Sequence, residues 1–223
     1  MTIKALIFDF DGLLMDTETT LLESWRWEWR RHGLELDPAG FFADHGGDAN
    51  EPRYLALSAA VGPAYDRETS YALRQAYRAR LNAALEPSPG IVDWLDRAAE
   101  IGLRLAVASS SALGHVGAML QQAGLRTRFE VLATGEEVAA HKPDPAVYRL
   151  ALDRLGLPAA EAVAFEDTAH GVLAARAAGL RCVAVPNPHV HRSVMSAADL
   201  VLASAAEMTL DAVLNSLDPP GRR

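Results

Sequence analysis

The stretch KALIFDFDG, residues 4–12, gives the strongest indication of the fold of this chain. Its first part, Lys4–Phe8, is a short apolar run of the kind that forms a strand buried on both faces of a parallel sheet. Asp9 follows at the carboxyl end of that strand, where open α/β sheets bind ligands. Asp11 lies just past the strand, and Gly12 lets the chain turn sharply and approach a ligand closely. The stretch therefore predicts a central strand that ends in a functional site.

Further apolar runs of strand length follow, and helical patterns separate the later ones. The predicted strands are Leu103–Ala108, Glu130–Ala133, Ala162–Phe165 and Cys182–Val185. The predicted helices are Ile91–Ile101, Leu113–Ala123, Pro145–Leu155 and Ala169–Ala178. Apolar strands that alternate with helices indicate an α/β fold with a doubly wound parallel sheet. Asp144 and Pro145 are expected to open one helix as N-cap and first-turn proline, and Gly156 and Gly179 to close two others.

The alternation is interrupted once, between Thr17 and about Pro87, where only helical patterns occur. Thr17 is expected to cap a helix that ends at Arg31. The apolar face of that helix comprises Leu21, Leu22, Trp25 and Trp29. Trp27 points the other way and is either exposed or part of a cleft. A second long helix is predicted over Arg67–Leu85.

The simplest account of this interruption is a helical domain inserted after the first strand. The predicted core domain comprises residues 1–16 and 88–223, and the predicted α-helical cap domain comprises residues 17–87. Hinge-like sequences at Asp16–Thr17 and Glu86–Gly90 bound the insert. We expect the cap to act as a lid over the end of the first strand.

Two acidic pairs stand at the ends of predicted strands. In the first pair, Asp9 and Asp11, one ionised carboxylate could bind a hard cation and attack phosphorus, while the other, protonated, serves the leaving oxygen as general acid. In the second pair, Glu166 and Asp167 are natural oxygen ligands for Mg²⁺. Either pair alone is also compatible with a solvated turn or a helix N-cap. Their repeated placement after strands favours a shared cation site.

Hydroxyl and ammonium groups occupy similar positions elsewhere in the chain. Ser109, Ser110 and Ser111 close a strand before a helix, where hydroxyls and backbone N–H groups can hold phosphate oxygens. Helix capping would also explain these serines. Lys142 precedes a capped helix and would supply a compact positive charge for phosphate or carboxylates, although single lysines are commonly solvated surface charges.

Composition and missing motifs exclude several classes of function. The net charge is −8 and no basic stretch exists, so nucleic-acid binding has little electrostatic support. The N-terminus lacks both the apolar region of a signal peptide and the ~20-residue span of a membrane helix. The single cysteine, Cys182, lies in an apolar run and fits a buried thiol in a reducing, cytoplasmic compartment. No P-loop, dinucleotide-binding or nucleophile-elbow motif is present.

In their order and positions, the motifs resemble those of the haloacid dehalogenase superfamily, over essentially the whole chain. DFDGLLMD, residues 9–16, is similar to the first motif of that family, Ser109 to the second, Lys142 to the third and Glu166–Asp167 to the acidic fourth. The insert resembles the α-helical cap of the subfamily that contains beta-phosphoglucomutase, phosphoglycolate phosphatase and small sugar-phosphate phosphatases. The family fold implies the strand order 3-2-1-4-5.

The resemblance also implies a two-step mechanism with Mg²⁺ as cofactor. Asp9 would attack phosphorus and form an aspartyl phosphate, and Asp11 would protonate the leaving oxygen and then activate water. Mg²⁺ would be held by Asp9, by the backbone carbonyl of Asp11 and by Asp167, with Glu166 in the outer shell. The phosphoryl oxygens would be held by Ser109, Ser110 and Lys142. Positioning and charge neutralisation supply most of the rate in such reactions.

Departures from the subfamily favour a phosphatase. Mutase-like members carry a cap histidine where this chain has Leu21, and an arginine for a distal phosphate to which Arg53, in HGGDANEPR, is a weak match. The dehalogenase branch lacks a second aspartate such as Asp11. We therefore expect a monomeric, cytoplasmic phosphatase that acts on a small phosphorylated metabolite. A sugar-phosphate mutase is the alternative enzyme, and a catalytically silent metal-binding module is the alternative outside enzymes.

Overall fold

A six-stranded parallel sheet forms the centre of the molecule. The structure, a computed structural model, describes residues 2–42 and 50–217. The strands are β1 Ala5–Phe8, β2 Arg104–Ser109, β3 Val131–Thr134, β4 Ala162–Glu166, β5 Arg181–Ala184 and β6 Leu200–Val201. Their order is β3-β2-β1-β4-β5-β6, and every pairing is parallel. The predicted fold class and the order of the first five strands are confirmed. The edge strand β6 was not predicted because two residues are too few to show a period.

Helices lie on both faces of this sheet and in the insert after β1. Over the described residues they are α1 Thr17–Arg31, α2 Asn50–Val61, α3 Arg67–Asn82, α4 Ile91–Glu100, α5 Leu113–Gln122, α6 Ala146–Leu155, α7 Ala169–Ala177 and α8 Leu210–Leu217. The predicted helices all exist, but α3 ends three residues before the predicted Leu85. The helix α2 was not predicted, and the sequence HGGDANEPR that precedes and begins it lies partly outside the described residues.

The predicted helix caps are shifted by one residue at two positions. Asp16, not Thr17, caps α1, because the Asp16 side chain accepts a hydrogen bond from the backbone N–H of Thr19 (3.0 Å). This leaves the Thr17 hydroxyl available for another partner. At α6 the N-cap is Pro145, and the Asp144 side chain accepts from the first helical N–H. Gly156 ends α6 in the left-handed conformation, as predicted.

Alternate residues of β1 are buried in two separate apolar clusters. Leu6 and Phe8 pack with α4, α5 and α8, whereas Ala5 and Ile7 pack with α6 and α7 on the opposite face. All four side chains are fully buried. The Phe8 ring also stacks on Phe165 of β4, with centroids 4.6 Å apart. Packing on both faces fixes the carboxyl end of β1, and with it the residue that follows.

The helices α1–α3 have an apolar cluster of their own. Trp25, Tyr54 and Leu57 form its buried centre, and Trp29 packs against it, as expected for one face of α1. Trp27 lies on the other side of α1 and stacks flat on Tyr77 of α3 at 4.5 Å. Within the described ranges, no helix combines the length and apolarity needed to cross a membrane.

Candidate active site

The sheet brings the two predicted acidic pairs to one edge. Phe8 pairs with Phe165, so Asp9 and Glu166 come at the ends of neighbouring parallel strands. Asp9, Glu166 and Asp167 are all buried, and each offers a carboxylate oxygen within 4.8 Å of the other two. We call these three residues the acidic triad. The convergence follows from the strand order, because β1 and β4 are adjacent in the sheet although far apart in the sequence.

The acidic triad has the composition of a site for a hard divalent cation. Oδ2 of Asp167 accepts a hydrogen bond from Asn187 (2.7 Å), whereas its Oδ1 is buried with no hydrogen-bond partner. Burial, followed by the charges of the other triad members, raises the pKa of Asp167 well above its ordinary value. Gly12, at φ +81°, lies so close that a Cβ atom would overlap the Asp167 carboxylate. A cation would neutralise the crowded carboxylates and supply a partner for the unpaired oxygen.

Lys142 is the cation that the protein itself supplies to this site. Its Nζ donates to Oδ1 of Asp9 (2.5 Å) and to Oε1 of Glu166 (2.6 Å), and the side chain is buried. The alternative of a solvated surface lysine is therefore wrong. Burial raises the pKa of Asp9 to about 7, against the charge and hydrogen bond of Lys142, and the charges of Glu166 and Asp11 add to the increase.

Both oxygens of the Glu166 carboxylate accept hydrogen bonds from other groups of the protein. The Tyr148 hydroxyl donates to Oε1 at 2.6 Å, beside the bond from Lys142, and the backbone N–H of Asp167 donates to Oε2 at 3.2 Å. The expected place of Glu166 in the outer shell of a cation stays a prediction. The contribution of Tyr148 was not predicted, and its only sequence signal is a polar atom within the apolar face of α6.

Asp11 lies near the acidic triad, but its side chain has different partners. Oδ1 accepts from the Thr17 hydroxyl (2.7 Å) and lies 3.2 Å from Nε2 of His115, while Oδ2 accepts from the Ser111 hydroxyl (2.6 Å). Burial alone would raise the pKa of Asp11. The hydrogen bond and charge of His115, with the bonds from Ser111 and Thr17, outweigh burial and hold the pKa well below its usual range. The arrangement therefore favours an ionised Asp11, ready to accept a proton.

The three serines at the end of β2, Ser109, Ser110 and Ser111, differ in burial and in hydrogen bonding. Ser109 is buried at the end of the strand, and its hydroxyl accepts a hydrogen bond from the backbone N–H of Ser111 (3.0 Å). Ser110 is exposed. Because Phe8 pairs with Val107, Ser109 lies at the same sheet edge as Asp9. The donors Ser111 and His115 were not assigned to Asp11 from the sequence, which gives no register between α5 and the first motif.

A cavity of about 270 Å³ lies at the beginning of α7. Its walls include Thr168, the residue after Asp167, together with His170, His189 and Phe42. Phe42 belongs to the insert and stacks on His189 at 4.6 Å. Nε2 of His189 also lies 2.8 Å from the Thr19 hydroxyl of α1. Core and insert residues thus line one cavity together, and no member of the acidic triad is among its lining residues.

One protein family, two relatives and one solved structure resemble this chain over most of its length. The family model described as "Haloacid dehalogenase-like hydrolase" matches residues 6–185. The chain is 37% identical to "Putative phosphatase YhcW" of Bacillus subtilis, over 97% of this chain and 98% of that protein. It is 32% identical to "Fructose-1-phosphate phosphatase YqaB" of Escherichia coli, over 81% and 95% respectively. The crystal structure of CbbY from Rhodobacter sphaeroides in complex with phosphate aligns with a TM-score of 0.75 and 31% identity, over 92% of this chain and 96% of that one.

Proposed function

The chain belongs to the haloacid dehalogenase-like hydrolase family, and we propose that it is a Mg²⁺-dependent phosphatase of a small phosphorylated metabolite such as a sugar phosphate. The observation that carries this proposal is the buried Asp9 at the end of β1, hydrogen-bonded to Lys142 and flanked by Glu166 and Asp167. The names of the relatives YhcW and YqaB support phosphatase activity.

Asp9 is the nucleophile of the proposed reaction. Lys142 binds its Oδ1, and we assign the attack on phosphorus to Oδ2. A bond forms between Oδ2 and phosphorus as the bond between phosphorus and the ester oxygen breaks, which gives an aspartyl phosphate and a leaving oxygen. Lys142 neutralises charge on the phosphoryl group beside Asp9, and Ser109 and Ser110 bind its oxygens from the adjacent strand end.

Asp11 is the general acid and general base of the proposed reaction. In the first step Asp11 acts in its protonated form and gives that proton to the leaving oxygen, and in the second step the ionised Asp11 takes a proton from the water that attacks the aspartyl phosphate. The three hydrogen bonds to its carboxylate favour the ionised form required in the second step. The second step breaks the bond between Asp9 and phosphorus and releases inorganic phosphate, so both aspartates return to their initial states.

The metal site of the proposal comprises the inner ligands Asp9 and Asp167, with the backbone carbonyl of Asp11, and Glu166 outside them. The unpaired buried Oδ1 of Asp167 supports this assignment. When bound, Mg²⁺ would neutralise the charge on the phosphoryl group. We further propose that residues 17–87 form a cap domain over a core of residues 1–16 and 88–223. Two contacts support it: Phe42 lines the cavity, and the Thr19 hydroxyl of α1 lies 2.8 Å from Nε2 of His189 in its wall. The monomeric state and cytoplasmic location stay predictions.

The proposal is tested by phosphate release from a panel of phosphorylated metabolites, with Mg²⁺ and after its removal by a chelator. Asp9→Asn should abolish turnover, because the amide has nearly the shape of the carboxylate but cannot act as the nucleophile. Asp93→Asn is the matched control, since Asp93 is exposed on α4. Near-normal turnover by Asp9→Asn, or full activity of the metal-free protein, would show that the proposed mechanism is wrong.

A further inference from the structure

The loop after β5 contacts both the acidic triad and the insert. Asn187, which is buried, donates from Nδ2 to Oδ2 of Asp167 at 2.7 Å. Oδ1 of Asn187 accepts a hydrogen bond from the backbone N–H of His189 at 2.9 Å. Nε2 of His189 lies within hydrogen-bond distance of the Thr19 hydroxyl of α1, at 2.8 Å, and the ring stacks on Phe42. Three hydrogen bonds in series therefore connect a triad carboxylate with the first turn of the insert.

The two polar groups nearest the triad can pass on an orientation because both are planar. Oδ1 of Asp167 is buried without a hydrogen-bond partner and is the oxygen left for a cation. With a cation on Oδ1, the plane of the carboxylate is fixed, and so is the position of Oδ2, which Asn187 binds. The Asn187 amide is rigid in the same way, so a fixed donor at one end fixes the acceptor at the other. Both side chains are buried, which limits the rotamers that they can adopt.

The other end of this series of hydrogen bonds is the turn that places Thr17 beside Asp11. Thr19 lies in the first turn of α1, where its backbone N–H donates to the N-cap Asp16 at 3.0 Å. Thr17 lies in the same turn and donates to Asp11 at 2.7 Å. A displacement of this turn from the core would therefore break the His189 contact and the Asp11 contact together.

We propose that Asn187 and His189 are positioning residues that couple cation binding at Asp167 to the docking of α1 on the core. The inference rests on the proposed function, because it takes the acidic triad as the cation site. With a cation bound, Asp167 orients Asn187 and the loop so that His189 meets Thr19. A docked α1 in turn orients Asp167 for the cation. Coupling of this kind is reciprocal, so each event strengthens the other by the same factor.

Calorimetry of Mg²⁺ binding, without substrate, tests the coupling from the insert side. Thr19→Val and His189→Phe each remove the hydrogen bond between α1 and the loop, and phenylalanine keeps a ring to stack on Phe42. Each variant should bind Mg²⁺ about five-fold more weakly than the wild type, the typical effect of losing one hydrogen bond. The double variant should bind no more weakly than the weaker single variant, because both substitutions remove the same bond.

Thr69→Val and His191→Phe are the matched controls. Thr69 has in α3 the position that Thr19 has in α1, with its backbone N–H on the N-cap side chain, but it is exposed. His191 lies two residues after His189, is exposed, and forms a hydrogen bond with Ser193. Both controls should change the affinity for Mg²⁺ by less than about two-fold. Thermal denaturation of each variant separates misfolding from loss of binding.

Hydrogen exchange tests the coupling from the metal side. In the wild type, saturating Mg²⁺ should slow the exchange of the backbone amides of α1, and in Asn187→Ala this protection should be largely lost. Affinities of Thr19→Val and His189→Phe equal to those of the controls would overturn this inference alone. So would α1 exchange that Mg²⁺ leaves unchanged in the wild type, or protection that Asn187→Ala retains in full. A wild type that binds no Mg²⁺ would overturn the proposed function as well.

Discussion

Replacing Gly171 by alanine should damage the acidic site, although alanine is the better helix former. Gly171 lies in the first turn of α7, and a Cβ atom there would overlap the carboxylate of Glu166. That carboxylate cannot move freely, since Lys142, Tyr148 and the backbone N–H of Asp167 all hold it. The added methyl group must therefore displace either α7 or Glu166.

One stabilising and two destabilising contributions set the expected change in the free energy of unfolding. Alanine in place of glycine stabilises a helix by up to about 1 kcal/mol. Overpacking a buried position costs about 1–3 kcal/mol, and loss of one hydrogen bond to the charged Glu166 costs about 1.5–3 kcal/mol. Gly171→Ala should therefore lower the free energy of unfolding by about 2–5 kcal/mol. It should also lower kcat/KM, because Glu166 helps to hold Lys142 against Asp9.

Urea denaturation and steady-state kinetics test both effects, with Gly117→Ala as the control. Gly117 lies in α5, and a Cβ atom there would meet nothing within 4 Å. This control should raise the free energy of unfolding by about 0.5–1 kcal/mol and leave activity unchanged. If Gly171→Ala is as stable and as active as Gly117→Ala, the contact between α7 and Glu166 does not constrain the site.

Two further predictions concern the aspartates of the first motif. The pKa of Asp9 is raised to about 7 without metal, and a metal ligand must be ionised, so Mg²⁺ binding measured by calorimetry should weaken about five-fold from pH 7 to pH 6. Equal affinities at the two pH values would contradict the raised pKa. His115→Ala removes the largest of the contributions that lower the pKa of Asp11, so the acidic limb of the pH–kcat profile should move to higher pH, and an unmoved limb would show that His115 does not set that pKa.

The sheet was predictable because each central strand is a continuous apolar run that burial on both faces requires. The placement of both acidic pairs after predicted strands favoured a shared site for Asp9, Glu166 and Asp167, and the strand order that the family resemblance implied made their strands neighbours. The hydrogen bond from Tyr148 to Glu166 was not predictable from the sequence. The Tyr148 hydroxyl reaches Glu166 from α6, and the distance between a helix and a strand end depends on packing that hydrophobic periodicity does not encode.

The ionisation of Asp11 depends on several residues and not on Asp11 alone. Its partners come from two parts of the fold: Thr17 from the first turn of the insert, and Ser111 and His115 from the core after β2. A displacement of α1 relative to the sheet would remove the Thr17 hydrogen bond and raise the pKa of Asp11 toward the range in which it can carry a proton. In the proposed mechanism, the protonation state of Asp11 would therefore depend on the position of α1, and one carboxylate would serve as proton donor in the first step and as proton acceptor in the second.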